Sequence, residues 1–362
     1  MSETVDLLLV SLGTTRGLQL SDAKFARMAR SAGASVAVVA TQIGLTDRLR
    51  RGYPVNDIVE AIAVRRALSQ GLRRHRPRAL VLSSTTAALL VDMDRLPAAV
   101  WLDSPARLNR PGLHNSILHV LERRQLSRAR MLLVLSDEAV PELPAGHAPA
   151  VVIPSPIAEP ATVGDQARER IVVAYTPDPK AKDLELVCRI WAETNASGAR
   201  LIVTGIDPDR AVAFLRRRGL ELPPGAELAG MLDQGRLLEL LGRALVFLSA
   251  ARWEDFGVTP LEALDCGAVL VAAPGGGPFP ALAIARELDA RLVAGDRSPA
   301  AVARSLETAL ALTDAQLADY RAAARMRLAA FREPAIVERL RDEVLPVLLG
   351  REMADRTGPE SG

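Results

Sequence analysis

Short apolar runs recur along the chain, each followed by a stretch with helical spacing. In the first part they are VDLLLVSL (Val5–Leu12), SVAVVA (Ser35–Ala40), ALVLSS (Ala79–Ser84), AAVWLD (Ala98–Asp103), MLLVLS (Met131–Ser136) and AVVIP (Ala150–Pro154). They are nearly continuously apolar, as strands covered on both faces are. Between the first two lies SDAKFARMARSAG (Ser21–Gly33), a helical pattern that opens on a capping-type serine, Ser21, and closes on Gly33. Alternating strands and helices predict a parallel, doubly wound sheet. The texture turns Pro-rich and polar at PSPIAEPATVGDQ (Pro154–Gln166), which reads as a linker. The alternation then restarts with RIVVAY (Arg170–Tyr175), ARLIVTG (Ala199–Gly205), ALVFLS (Ala244–Ser249) and AVLVAA (Ala268–Ala273). Helical patterns follow, one of them opening on a capping box of Thr313 and Gln316. A last helix is expected at about Pro334–Leu349, ahead of a polar tail at 350–362 that reads as disordered. The expected architecture is α/β, with one domain over 1–155, a second over 156–333, and the last helix packed back on the first. Ligands of open parallel sheets bind at the carboxyl ends of the strands, so the two domains are expected to face a cleft lined by the loops that follow strands.

Composition narrows this picture little, and charge adds one feature. A chain of 362 residues, 49% hydrophobic and 24% charged, has the length for two domains and the balance of a globular protein. Two cysteines, Cys188 and Cys266, make no disulfide framework and lack metal-ligand spacing, which fits a reducing, cytoplasmic setting. MSETVDLLLVSLG has no basic segment ahead of its apolar run, so no signal peptide is read there, and no run has the length of a membrane span. Residues 1–160 hold 20 Lys and Arg against 14 Asp and Glu, a net +6, whereas the remainder is a net −4. The excess concentrates in DRLRRGY (Asp47–Tyr53) and RRALSQGLRRHRPR (Arg65–Arg78). Such a stretch is either a solvated helix face or a docking surface for an anionic lipid or a phosphorylated acceptor, at the inner face of the membrane. Nucleic acid is disfavoured, because aromatic residues make up only 3% of the chain and none interleave the arginines.

The candidate chemistry centres on RWEDFGVTPLEALDCG (Arg252–Gly267). Read locally, Thr259 caps a helix, Pro260 fills its first position and Glu262 stands three residues after the cap. Capping leaves EDFG unexplained. That segment follows a strand and leads into a helix start, where free amides and the dipole suit a phosphate, and Gly257 permits close approach of the backbone. Glu254 is placed to accept hydrogen bonds from sugar hydroxyls.

This stretch, with EALDCGAVLVAAPGGG after it, resembles the donor site of retaining GT-B glycosyltransferases of the group 1, family 4 type. The matching set is ordered: Glu254, Phe256-Gly257, Glu262-Ala263, Gly267, the strand AVLVAA and Gly275-Gly276. The resemblance runs less specifically through the first strand and its Gly13 loop, through VVIPSPI, through LIVTG (Leu201–Gly205) and through LAGMLDQGRLLELLGRALVFLSA (Leu228–Ala251). It implies two Rossmann-like domains and a metal-independent transfer from a nucleotide-diphosphate sugar, with no further cofactor. It also implies roles. Glu262 would hold the ribose, and the amides of Phe256, Gly257 and Val258 would face the diphosphate. Glu254 would contact the donor sugar. The backbone of Gly230, Met231 and Leu232, beside Gly205, would meet the base. The acceptor would be a saccharide, a lipid-linked molecule or a small metabolite.

Some positions depart from the family pattern. The chain has three lysines, Lys24, Lys180 and Lys182. In TPDPKAKDLEL, Lys180 matches the family lysine that binds the leaving diphosphate, but Tyr175 stands where an arginine is expected. Either Lys182 or Arg16 of the GTTRG loop is then the substitute cation, and Lys180 is alternatively an exposed residue ahead of a helix. A histidine is common near the loop after the fourth strand; here Asp103 occupies that place and His114 follows eleven residues later. Asp103 either bonds substrate hydroxyls or caps its own loop, and His114 reads as a helix-start residue. Phe279 stands where a glutamate is common. Three other readings compete: a metal-binding Asp92-x-Asp94 pair of a different transferase fold, a sugar-nucleotide epimerase, and a non-catalytic subunit of the same fold that binds nucleotide or a partner.

Overall fold

The computed structural model describes residues 3–14, 16–41, 54–158, 168–196 and 198–350. The basic Asp47–Tyr53 segment, most of the expected linker and the tail beyond Gly350 lie outside the described residues. The chain divides into two compact units, one made of Met1–Pro156 with Glu333–Gly362 and the other of Ile157–Arg332.

The first unit holds a six-stranded parallel sheet. Its strands are β1 (Glu3–Ser11), β2 (Val36–Ala40), β3 (His75–Leu82), β4 (Ala98–Leu102), β5 (Met131–Val134) and β6 (Ala150–Val152), in the order β2-β1-β3-β4-β5-β6. Helices α1 (Arg16–Ser31), α2 (Val55–Arg74), α3 (Thr85–Ala88), α4 (Ala106–Asn109) and α5 (Ser116–Arg128) make the crossovers. Successive side chains of a strand point to opposite faces. Leu7, Leu9 and Val81 therefore pack with Phe25, Met28 and Trp101 on one face. Leu8, Val10, Leu80 and Leu82 pack with Val64, Leu68 and Leu126 on the other. Two covered faces are why these runs are continuously apolar. Phe25 and Trp101 meet with ring centroids 4.8 Å apart.

Two expectations need correction here. Ser21 does not cap α1, which begins at Arg16; Leu18 packs against the core and draws the extra turn into the helix. The position of the Arg16 side chain lies outside what is described. The last helix is interrupted: α13 (Glu333–Arg339) and α14 (Leu345–Leu349) flank a π-helical turn at Leu340–Val344. A wider turn ahead of Pro346 relieves the clash that a proline ring makes with the preceding turn. Ile336, Leu340, Leu345 and Leu348 join the Phe25 face of the core, and Arg27 pairs with Glu333 at 2.6 Å.

The second unit holds a five-stranded parallel sheet in the order β11-β10-β7-β8-β9. Its strands are β7 (Glu169–Tyr175), β8 (Arg200–Thr204), β9 (Ala226–Gly230), β10 (Ala244–Ser249) and β11 (Val269–Ala272). Helices α6 (Leu184–Glu193), α7 (Pro208–Arg216), α8 (Gln234–Arg243), α9 (Val258–Asp265), α10 (Pro280–Leu288), α11 (Pro299–Leu310) and α12 (Asp314–Leu328) complete it. The capping box of Thr313 and Gln316 opens α12. Central β10 is buried at every position, whereas edge strand β9 alternates between covered and exposed residues.

Candidate functional site

The carboxyl ends of the β7 and β10 strands, with the turns that follow them, enclose a cavity of about 130 Å³. Tyr175, Lys182, Glu254, Gly257, Val258 and Thr259 all line it. Lys182 comes from the turn between β7 and α6, and the rest of the polar lining comes mainly from the β10–α9 loop.

That loop is docked on a glycine turn. Glu254 N–H donates to the Gly276 carbonyl at 3.0 Å, and Gly276 N–H donates to the Arg252 carbonyl at 3.0 Å. A Cβ on Gly275 would sit 2.7 Å from the Ala251 carbonyl oxygen, and one on Gly276 would sit 2.8 Å from the Trp253 ring. A Cβ on Gly277 would overlap the Glu254 carbonyl oxygen. The three glycines are thus a condition of close packing between two backbones. Arg297 fastens the same loop. Its guanidinium donates to the carbonyls of Ala250 at 2.7 Å, Ala251 at 3.0 Å and Pro274 at 2.7 Å, and to Asp183 at 2.8 Å. Arg252 also pairs with Asp183, at 2.9 Å. Asp183 is the one non-glycine residue with a left-handed backbone among the described residues, at φ 53°.

The helix start differs from the local reading. Gly257, at φ 75°, stands in the cap position, and α9 begins at Val258 with no side-chain cap bond. Thr259 is therefore inside the first turn, and Glu262 lies in the second turn, beyond reach of a capping box. A Cβ on Gly257 would sit 2.7 Å from the ring of Phe279, so the phenylalanine that replaces the family glutamate buttresses this turn. Phe256 is buried against Phe331, with ring centroids 5.9 Å apart. The first amides of a helix have no intrahelical acceptor, so those of Val258 and Thr259 are available at the cavity wall.

Glu262 is 4% exposed, and its carboxylate accepts from Gln234 Nε2 at 3.3 Å. Burial, then the charge of Glu262, holds the Tyr175 hydroxyl above its usual pKa. Glu254 accepts from Lys182 Nζ. Lys180 is exposed and is absent from the cavity lining; its amide and that of Ala181 donate to Asp178 Oδ1 at 2.9 and 3.0 Å. Gly205 packs under the Tyr175 ring, and its N–H donates to the Gly230 carbonyl at 2.9 Å. Beyond Gly230, Met231 is 70% exposed and Leu232 is half-buried.

The other candidates belong to the first unit. Gly13 has φ 56°, and its carbonyl accepts from Gln19 Nε2 at 2.9 Å. Beside it, Ser11 Oγ donates to Asp22, a buried carboxyl pushed up to about 6 by desolvation. Asp103 is exposed at the end of β4 and accepts from the Ser104 amide at 2.7 Å, as a loop cap does. His114 sits in the short turn that leads into α5. Asp92 accepts from the Asp94 amide at 3.2 Å, and Asp94 pairs with Arg128. Among the described residues no group of three or more His, Cys, Asp or Glu is arranged to hold a metal ion.

Sequence reasoning brought Glu254, Gly257, Val258 and Lys182 to one place. It missed Asp183 and Arg297. Asp183 ahead of the apolar LELVCRIW has the look of a helix cap, but nothing local ties it to an arginine 114 residues later.

Solved structures of the same architecture define the fold. HepE of Anabaena, crystallised with UDP and glucose, aligns at 15% identity and a TM-score of 0.64, over 94% of this chain and 98% of its own. Sucrose-phosphate synthase of Thermosynechococcus elongatus aligns at 14% and 0.68, over 94% and 97%. A glycosyltransferase of Rickettsia africae aligns at 14% and 0.69, over 96% and 99%. The fold is GT-B, two parallel-sheet α/β domains. Within it, residues 159–327, which lie in the second unit, match the family model of glycosyl transferases group 1. No curated protein matches the chain.

Proposed function

We propose that the protein transfers a sugar from a nucleoside-diphosphate sugar to an acceptor hydroxyl, with retention at the anomeric carbon and without a metal ion, as the family 4 type does. The observation that carries this reading is the convergence of Glu254, Lys182 and the first amides of α9 on one cavity at the strand ends of a group 1 domain. Glu262 then holds the ribose, the amides of Phe256, Gly257 and Val258 face the diphosphate, and Glu254 contacts the sugar. The backbone from Gly230 to Leu232, next to Gly205, meets the base. Of the two lysines of this turn, Lys182 lines the cavity where the leaving group would sit and Lys180 does not, while Arg16 of the Gly13 loop meets a phosphate or the acceptor and Asp103 the hydroxyls of donor or acceptor. In the transfer, the bond from the anomeric carbon to the phosphate oxygen breaks and its electron pair stays on that oxygen. The acceptor oxygen bonds to the carbon from the same face, and its proton passes to the departing phosphate. Cations and oriented amides at that phosphate lower the barrier electrostatically.

Calorimetry with UDP, GDP and ADP and their common sugars, with and without EDTA, tests the donor site. Selective binding of one nucleotide that survives EDTA and is lost in Glu262→Ala is expected; the presence of UDP in the HepE structure puts UDP first. Binding by no nucleotide would overturn the reading, and binding abolished by EDTA would overturn its metal-independence. The second reading, a non-catalytic nucleotide-binding subunit, draws on Tyr175 at the place of the family arginine; absence of both donor hydrolysis and transfer in a chain that binds nucleotide would establish it.

The same reading puts the protein in the cytoplasm, with its first unit in contact with an anionic membrane face. On α2, Arg65, Arg66, Arg73 and Arg74 are exposed, whereas both acids, Asp57 and Glu60, are buried. On α5, Arg123, Arg124 and Arg128 are exposed and the one acid, Glu122, is buried. Leu113, Ile117 and Val120 stand 91%, 73% and 68% exposed along the same helix and its lead-in. Exposed aliphatic side chains on a helix that also carries exposed arginines suit the boundary between lipid headgroups and acyl chains.

A further inference from the structure

The Lys182–Glu254 pair raises a question that the donor reading leaves open. Lys182 is the only cation among the residues lining the cavity, and Glu254 is the only carboxylate. They are bonded to each other, with side chains 22% and 12% exposed. At rest the cavity therefore offers a diphosphate no net charge. The remaining lysine of the turn, Lys180, is exposed and absent from the lining, and Asp178 pins its backbone from the outer side.

We propose that Lys182, not Lys180, is the cation of the leaving diphosphate, and that Glu254 holds it in reserve. The pair opens only when a ligand supplies a phosphate for the ammonium and hydroxyls for the carboxylate. This rests on the cavity being the donor site. A lysine has a long, flexible stem with a rotatable ammonium head, so Nζ can leave one oxygen partner for another without backbone movement. The backbone that carries Glu254 is fixed. Its amide is bonded to Gly276, and its carbonyl is packed on Gly277. Once the phosphate takes Lys182, the carboxylate is left partly buried and needs a new donor, since an unpaired charge in such a place is costly. The hydroxyls of the donor sugar are that donor.

The consequence is discrimination between substrate and product. The intact donor satisfies both halves of the opened pair. The nucleoside diphosphate left after transfer satisfies only Lys182, because the sugar has gone to the acceptor. Glu254 then competes with the phosphate for Lys182 and weakens the product's hold. The ion pair is a device for release of product built from the same residues that bind the substrate.

Calorimetry on Glu254→Gln, Lys182→Ala and Lys180→Ala tests this, with UDP, GDP and ADP compared against UDP-glucose, GDP-mannose and ADP-glucose. Glu254→Gln keeps the shape and amide bond of the loop while removing the charge. It is expected to bind the free nucleoside diphosphate roughly three- to fivefold more tightly than wild type, the scale of a partly exposed ion pair. It should bind the sugar nucleotide no more tightly, so the preference for substrate over product narrows. Lys182→Ala should weaken diphosphate binding at least tenfold, and Lys180→Ala should leave it within twofold. Thermal melts confirm that each variant is folded. Unchanged or weaker diphosphate binding by Glu254→Gln, or a larger loss in Lys180→Ala than in Lys182→Ala, would overturn the proposal and leave the donor site standing. Failure of the wild-type protein to bind any of the six nucleotides would remove the donor site and the proposal together.

Discussion

At the scale of single residues, two lysines two positions apart have different surroundings. Position within TPDPKAKDLEL alone assigned the family role to Lys180. In the folded turn Lys182 meets Glu254 and Lys180 faces outward. Glu262 has a similar history. TPLE is a sound local signature for a cap, yet Gly257 in a left-handed conformation starts α9 earlier and carries Glu262 into the second turn. A capping role would make Glu262→Ala a matter of about 1 kcal/mol of stability. Buried against Gln234 instead, it is expected to affect nucleotide affinity, with little change in melting temperature. Asp22 gives a prediction of a different kind. Its folded pKa, pushed up to about 6, exceeds the ordinary aspartate value, so the folded state holds this proton more firmly. The stability it contributes is full below about pH 4 and is lost as pH rises through about 6. Asp22→Asn should remove that slope and raise stability at pH 8 by about 2 kcal/mol, read from denaturant melts at pH 5 and pH 8. No sequence pattern announced Asp22, because its effect comes from burial, which the hydrogen bonds of Ser11 and Ser83 only partly offset.

At the scale of elements, the strands that could be read were those sandwiched between layers. The β1, β4, β5 and β10 runs are nearly continuously apolar because both of their faces are covered. The edge strand β9 was not legible by that rule, since its AELAG alternates with solvent-facing positions. The contact between the glycine turn and the β10–α9 loop was also hidden. Three consecutive glycines signal a turn, but not that two backbones will meet there. Gly277→Ala is expected to disrupt that docking, lower stability by about 2 kcal/mol or more, and abolish nucleotide binding measured by calorimetry. Arg297→Met should act similarly, because four oxygens lose a charged donor at once. The apolar ridge on α5 makes a separate prediction. Ile117→Ser with Val120→Ser should reduce co-sedimentation with phosphatidylglycerol vesicles severalfold, and wild type should not sediment with phosphatidylcholine vesicles. Equal sedimentation of the variant and wild type would remove α5 from the membrane-facing surface.

At the scale of the whole molecule, the chain leaves the first unit after Pro156 and re-enters it at Glu333. The second unit is thus an insertion, and Ile336, Leu340, Leu345 and Leu348 close the core that Leu7 and Phe25 begin. Leu340→Ala is expected to cost about 2 to 5 kcal/mol, the usual range for a buried leucine. The fluorescence of Trp101, which is buried beside Phe25, reports that loss once Trp191 and Trp253 are replaced by phenylalanine. This return also sets an order of events on the ribosome. The first strands emerge early, yet one face of their sheet is covered only in part, by α1, until residues 336–349 are made. The intervening unit has all of its own strands and can fold meanwhile. At about 5–20 residues per second, the interval is on the order of ten seconds or more. Throughout it the oldest part of the nascent chain presents the uncovered part of one apolar face, so the half of the protein made first is the half with the greater need of a chaperone.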